Sequence, residues 1–328
     1  MTRRNGGTIG PANDTTKSTA TGIFSIKDNQ ERTKAGEFPK THAPTYIIQW
    51  ILVGGGGAGA TTGRTGSFNA GGGGGGGGML AHTDAPSDNG LTVGGGQTFT
   101  VTIGAGSFQN NNGNDTSITD QGGTVRGSAI GGGCGKSLGP YYGGTANGGN
   151  GGGSYYTGSG GSTTQSSSGV NLDSATHYGN NGGSGGSNRP GGGGGCGAAG
   201  STGTSPGGAG GAGRDHSWTT DGGGSDTFGG GGGGIGGQGS SSGGSGGGSG
   251  GYWNADNSSG GYLNGTANTG GGGGAGLNAT SSGGSGIAII RYLTDDGEAS
   301  SNSPSGGSKT TNGSYTYHTF TSSGTFTA

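Results

Sequence analysis

Apolar residues in this chain are concentrated in a few short stretches. Tyr46–Val53 reads YIIQWILV and Gly286–Leu293 reads GIAIIRYL, both close to continuously apolar. Runs of this length and character predict strands over 46–53 and 287–293 that are buried on both faces. Thr98–Ile103 (TFTVTI) is rich in β-branched residues and predicts a third strand over 98–103, ended by Gly104-Ala105-Gly106. Asn110–Asp115 (NNNGND) predicts a polar turn-rich loop, and Ser117–Val125 a further short strand. Near the end, Tyr315–Phe320 (YTYHTF) and Gly324–Thr327 (GTFT) flank Thr321-Ser322-Ser323. They predict a hairpin with Phe320 and Phe326 on its buried face.

What lies between the two apolar strands changes the picture. From Gly54 to Gly284, glycine runs such as the unbroken Gly71–Gly78 alternate with short polar and aromatic inserts, and 100 of 328 residues are glycine. Three readings compete. A Gly/Ser-rich chain is a flexible coil by default. Collagen needs strict Gly-X-Y and abundant proline, and the 8 prolines here follow no three-residue register. The third reading is a bundle of extended left-handed helices with three residues per turn, the glycine counterpart of polyproline II. Such a helix has no internal hydrogen bonds, so its N–H and C=O groups must find partners sideways. Glycine keeps its N–H and lacks Cβ, so neighbouring runs approach closely and bond to one another.

Energy weighs against order. Fixing a residue costs roughly 1–2 kcal/mol of backbone entropy, and glycine loses the most. Leu, Ile, Val and Phe make up only about a tenth of the chain, a composition that favours disorder. Disorder usually also carries high net charge, whereas here it is −2 with 9% charged residues. Irregular aromatic inserts serve no purpose in a spacer. The expected fold is therefore mostly β and irregular: a polyglycine II-like bundle closed by a small antiparallel sheet or sandwich. The expected units are an N-terminal segment 1–45, a glycine-rich domain 46–293, a linker 294–313 and a terminal hairpin 314–328. Within 1–45, Ser25 is an N-cap with Asp28 three residues on, and 26–35 predicts a short helix stopped by Gly36 and Pro39. No apolar core follows Met1-Thr2-Arg3-Arg4, so no secretory signal is expected, and no run is long enough to span a membrane.

Candidate chemistry is sparse. Cys134-Gly135-Lys136-Ser137 has the end of a phosphate loop, but Ile130 stands where its first glycine is required. Cys134 and Cys196 are the only cysteines. They either form one bridge, worth about 4 kcal/mol in the chain-entropy model, or pack as two small residues in the glycine lattice. The 5 histidines lack metal-ligand spacing. Asp215-His216-Ser217 has triad residue types, yet adjacent side chains on extended backbone diverge. With 14 basic and 16 acidic residues there is no basic stripe for nucleic acid. Neither a cofactor nor a metal nor an enzymatic activity is expected. Aromatic side chains on loops supply rigid contact area at low entropy cost. Tyr141, Tyr142, Tyr155, Tyr156, Tyr178, Trp218, Tyr252, Trp253 and Tyr262 are therefore candidates either to be displayed for binding or to cap the bundle.

Taken together, YIIQWILV running into GGGGAGA, then TFTVTIGAG, the glycine tract, GGSGIAIIRY and YHTFTSSGTFTA resemble the glycine-rich modules of tailed-bacteriophage fibre and adhesin proteins over about 46–328. Gly7-Thr8-Ile9-Gly10, Gly22-Ile23-Phe24-Ser25 and Ala35-Gly36-Glu37-Phe38-Pro39 resemble the leader of phage virion proteins. The resemblance implies a virion protein whose inter-helix loops bind a host glycan or outer-membrane protein, and a homo-oligomer, with a trimer favoured. It also implies docking to other virion proteins through the N-terminal segment, with Ile23, Phe24, Ile26 and Phe38 as docking candidates. One departure stands out: HTFTSSGTFT often precedes the entering strand in such modules, and here it ends the chain. Two other roles stay open, a virion decoration and a self-assembling extracellular filament that donates its terminal strand.

Overall fold

The computed structural model describes residues 45–62, 70–82, 90–137, 146–187, 189–218, 226–236, 239–251, 263–277, 281–295 and 303–328. The expected helix over 26–35 and the docking candidates Ile23, Phe24, Ile26 and Phe38 lie outside them. The described residues are mostly strand and irregular, with several sheets and no barrel; helix is confined to one turn, Gln165–Ser168. In chain order the strands are β1 (Thr45–Val53), β2 (Thr61–Thr62), β3 (Met79–Ala81), β4 (Leu91–Gly94), β5 (Thr98–Thr102) and β6 (Thr116–Asp120). Then come β7 (Val125–Ala129), β8 (Thr176–Tyr178), β9 (Arg214–His216), β10 (Asp226–Phe228), β11 (Ile235–Gly236) and β12 (Gly239–Ser240). The last are β13 (Gly276–Leu277), β14 (Ile287–Leu293), β15 (Ser308–Asn312), β16 (Tyr315–Phe320) and β17 (Gly324–Thr327).

The two most apolar stretches of the sequence pair with each other. β1 and β14 run antiparallel, with Ile51 opposite Ile289, at the centre of a seven-stranded sheet ordered β15-β16-β14-β1-β3-β8. β4 joins the same edge of β1 as β3, further from the glycine tract. A four-stranded antiparallel sheet, β17-β5-β6-β7, packs on one face of the larger sheet. The period-two alternation of β1 sends Tyr46, Ile48, Trp50 and Leu52 between the sheets, with Phe99, Val101, Ile118 and Phe326 opposite. Ile51 and Val53 point to the other face and meet Met79, Trp218, Phe228 and Ile289. Burial on both faces is what a nearly unbroken apolar run demands. A fully buried Trp50 or Leu52 contributes about 1.5–3 kcal/mol.

Beyond Val53 and before Met79 the backbone follows another rule. Along Gly71–Gly78 each N–H donates to another segment; Gly71 donates to Ile235, and from Gly72 onward the partners follow a three-residue rotation. Gly72, Gly75 and Gly78 donate to Lys136, Gly133 and Ile130; Gly73 and Gly76 donate to Gly191 and Gly194; Gly74 and Gly77 donate to Gly273 and Gly270. The carbonyls rotate likewise. Gly72, Gly75 and Gly78 accept from Ala60, Gly57 and Gly54; Gly73 and Gly76 from Gly153 and Asn150; Gly71 and Gly74 from Ile235 and Gly232. Six segments thus surround one run, and the bonds of the eight donors are 2.7–3.3 Å long. The register shows direction: segments 54–60, 130–136, 150–153, 232–235 and 270–273 run opposite to 71–78, and 191–194 runs with it.

Close approach explains why glycine is required. A methyl group at Gly73 would collide with the carbonyl of Gly232, and one at Gly77 with that of Gly54. Where the lattice leaves room it accepts small side chains: Ala58, Ala60, Cys134, Asn150 and Ala275 are all fully buried within it.

The short strand expected within Ser117–Val125 is β6, and the chain then turns at Gln121–Thr124 into β7, because Asp120 Oδ1 accepts from the N–H groups of Gly122 and Thr124 and folds the chain back. Two local expectations need correction. Tyr315–Phe320 and Gly324–Thr327 are both strands but not each other's partners. β16 pairs with β14 and β15, and β17 crosses to pair with β5 in the other sheet, which buries Phe320 and Phe326 in the same core. The stretch expected as linker, 294–313, contains β15, an exposed edge strand whose alternation is too weak to show in sequence.

Candidate functional site

The register gives the molecule two ends. Val53, Met79 and Ile287 lie where runs enter the sheets, and the far ends of the same runs lie near Thr61–Thr62, Gly71 and Lys136. There β2 pairs with β13, Gly71 bridges Ser137 and Ile235, and Ile235, Ala275 and Leu277 form a small buried plug. We call this the distal end. Described turns at this end include Tyr155–Gly158 and Gly186–Arg189.

Tyr155 and Tyr156 follow directly on the run Asn150–Ser154. Their rings stack at 5.6 Å between centroids and 26° between planes. Tyr156 is 40% exposed and has a φ of 51°, a left-handed conformation uncommon for a tyrosine. The turn is held by neighbours: Ser154 N–H donates to Gly183 O, its carbonyl accepts from Gly191 N–H, and Gly185 N–H donates to Gly158 O. A side chain at Gly185 would collide with the Tyr156 carbonyl, so the next run lies directly against the pair. That run ends in the turn where Gly186 and Arg189 exchange backbone hydrogen bonds of 2.7 and 3.0 Å, leaving Arg189 exposed. On the other side, Lys136 N–H donates to Gly153 O, and Lys136 is also exposed. The sequence reading singled out the tyrosines, weighed Lys136 only as part of a phosphate-loop resemblance, and passed over Arg189. The signal was there: Lys136 and Arg189 each interrupt a glycine-rich run.

A family model described as a glycine-rich domain matches residues 33–293. The chain belongs to this family. Comparison with curated proteins gives no match. The glycine-rich domain match takes in β1 to β14 and every run between them, and leaves β15, β16 and β17 beyond its end.

Within the glycine-rich domain the other aromatic candidates divide. Trp218 is no display residue: it is 1% exposed and packs in the core beside Cys196, Phe228 and Ile289. The Arg291 guanidinium lies 3.6 Å from its ring centroid and 4.2 Å from that of Tyr315. A buried cation needs such compensation, and its source, one arginine inside an apolar strand, was visible in GIAIIRYL. Tyr178 sits in β8 at the sheet end, half-buried under the Arg214 guanidinium. It too is far from Tyr155 along the run. Tyr141, Tyr142, Tyr252, Trp253 and Tyr262 lie outside the described residues. The runs flanking them, ending at Ser137 and Gly251, are both at the distal end, where Ser137 bridges Gly71 and Gly251 lies against Ile235.

Cys134 and Cys196 do not form a disulfide. Both are buried thiols in the bundle, and burial raises their pKa, to about 11 for Cys134 and about 12 for Cys196. Cys196 donates to Gly77 O at 3.1 Å, next to the Asn150 side-chain amide. Among the described residues no group of three or more His, Cys, Asp or Glu converges, and no helix is long and apolar enough to cross a membrane. His216 uses its ring to bond His82 O, and Asp215 bonds Thr227, so the two diverge as extended backbone requires. A groove of about 380 Å³ lies at the sheet end beside Leu91, Gln97 and Phe99. Its charged groups are engaged internally: Asp120 holds the β6–β7 turn, and Arg126 forms a two-point ion pair with Asp173.

Proposed function

We infer that this glycine-rich domain protein is a non-enzymatic bacteriophage virion component, a tail-fibre adhesin, and that its glycine runs are polyglycine II helices packed side by side. The observation that carries the helical reading is the three-residue rotation of hydrogen bonds along Gly71–Gly78 to six neighbouring segments. A left-handed helix with three residues per turn presents its polar groups in that rotation. Such a body is stiff, because each run is tied to several others, and its runs reverse at both ends, with one set of turns gathered at the distal end. The exposed Tyr156, Lys136 and Arg189 at that end support a role in contacting a host glycan or outer-membrane protein. Residues 1–45 are proposed to dock to other virion proteins, and assembly as a homo-oligomer, a trimer by preference, would turn weak single contacts into firm attachment. The alternative of a self-assembling filament relied on a donated terminal strand; β17 instead pairs within its own chain.

Immunogold electron microscopy of purified particles, with antibody raised to residues 131–284, tests the virion reading. Label at the tail-fibre ends is the expected result. Label over the head would point to a decoration role, and particles without label would overturn the proposal.

A further inference from the structure

Charge is divided unevenly between the two ends. Six carboxylates fall among the described residues, Asp115, Asp120, Asp173, Asp215, Asp226 and Asp295. All belong to the sheet end. Asp115 bonds Gly131 N–H at the start of its run, Asp120 and Asp173 serve the β6–β7 turn and Arg126, Asp215 and Asp226 lie in β9 and β10, and Asp295 follows β14. The described distal end carries Lys136 and Arg189 and none of these carboxylates. Both cations are tied by backbone bonds to segments next to the stacked tyrosines, Lys136 through Gly153 and Arg189 through Gly186, whose neighbour Gly185 abuts Tyr156.

Resting on the reading of the distal end as the receptor-facing end, we propose that Tyr155, Tyr156, Lys136 and Arg189 form a binding site for an acidic saccharide. A sugar ring presents an apolar face that lies on an aromatic platform, and the exposed Tyr156 ring offers one. A guanidinium offers a planar fork matched to a carboxylate or phosphate group, and an ammonium adds an adjustable point charge. Tyr156 stands at a tight turn with a left-handed φ of 51° and is 40% exposed. Neutral sugars lack the group that Lys136 and Arg189 address.

The test is titration of the full chain with tetragalacturonate and, in parallel, with the neutral galactose tetrasaccharide, by calorimetry at low salt. The expected result is binding of the acidic oligomer, weaker binding of the neutral one, and loss of affinity as salt rises. Arg189→Gln should weaken the acidic oligomer by roughly tenfold and leave the neutral one unchanged; Tyr156→Ala should weaken both. Arg189 is exposed, so its variant keeps the fold, which amide exchange of Gly71–Gly78 checks. Equal affinity for the two oligomers, no binding of either, or an Arg189→Gln variant that binds like the parent would each overturn the site. The virion reading fails separately, on particles that carry no label.

Discussion

The sheet end and the glycine bundle solve the same problem with opposite means. At the sheet end, side chains make the structure: Trp50, Leu52, Phe99 and Phe326 fill the space between two sheets, and the backbone bonds run along regular ladders. In the bundle, side chains are almost absent and the backbone itself is packed. Each glycine residue gains about one hydrogen bond, worth roughly 1 kcal/mol net, against an ordering cost of roughly 1–2 kcal/mol that is largest for glycine. Such a lattice does not hold by itself. Its order depends on the anchoring of its runs in the apolar sheets, and on the absence of Cβ atoms that would push the runs apart.

If that comparison holds, the largest effect comes from adding one methyl group inside the bundle. At Gly74 a Cβ would collide with the carbonyl of Gly57 and with Ala58, both backbone, so neither side has an adjustable group. Gly74→Ala is expected to cost about 4 kcal/mol or to prevent folding. Gly94→Ala is the control, since its nearest neighbour would be a methyl carbon at 4.0 Å, and it should change stability by less than about 0.5 kcal/mol. Denaturant melts of the two variants check this.

Next in size are cavities at the sheet end. Leu52→Ala and Ile289→Ala empty opposite faces of the central strand pair and should each cost about 2–5 kcal/mol. If the bundle depends on its anchors, exchange in Gly71–Gly78 should quicken in both variants. A bundle that stays protected while the sheets loosen would show that the two regions are independent.

Acid should act on the sheet end first. Burial holds His82 and His318 below their usual pKa. His82 accepts from Trp50 N–H at Nδ1 and donates from Nε2 to Asp173 O, and His318 lies between Gly306 O and the Tyr292 hydroxyl. The folded state therefore binds protons less readily than the unfolded state. Stability is fully present above about pH 6.5, falls as pH drops through that value, and levels off below the folded pKa values. Urea midpoints at pH 7.5 and 5.5 read the difference. The smallest effect is chemical: at pH 8 the buried thiols, raised to about 11 and about 12, should resist alkylation in the native protein and react once it is unfolded. Rapid native modification of Cys196 would mean that the bundle opens.

The sheet end was largely legible because strand signals are side-chain signals. Tyr46–Val53 and Ile287–Leu293 announced both their extent and their double burial. The partner of β17 was not legible. Two strands joined by three residues read as a hairpin, and only the apolar surface of β5 reveals the better place for Phe326. The bundle was legible as a material but not as an arrangement. Glycine carries no side-chain pattern, so nothing in Gly71–Gly78 says that Gly73 faces Gly191 while Gly74 faces Gly273. At the candidate site the tyrosine pair and the two cations were visible as residues that interrupt glycine runs, but that they lie near one another was not. Their nearness depends on which runs are neighbours. Trp218 misled for a related reason: an aromatic insert between glycine runs turns at either end, and this one turns at the sheet end under Arg291.

Amide hydrogen exchange along Gly71–Gly78 tests the central claim most directly. Every amide there donates to a neighbouring segment, so protection should extend over all eight consecutive glycines and approach that of β1, with the exposed turn at Gln121–Thr124 exchanging faster. Exchange of the eight at the rate of that turn would contradict the account and leave a flexible spacer between two strands.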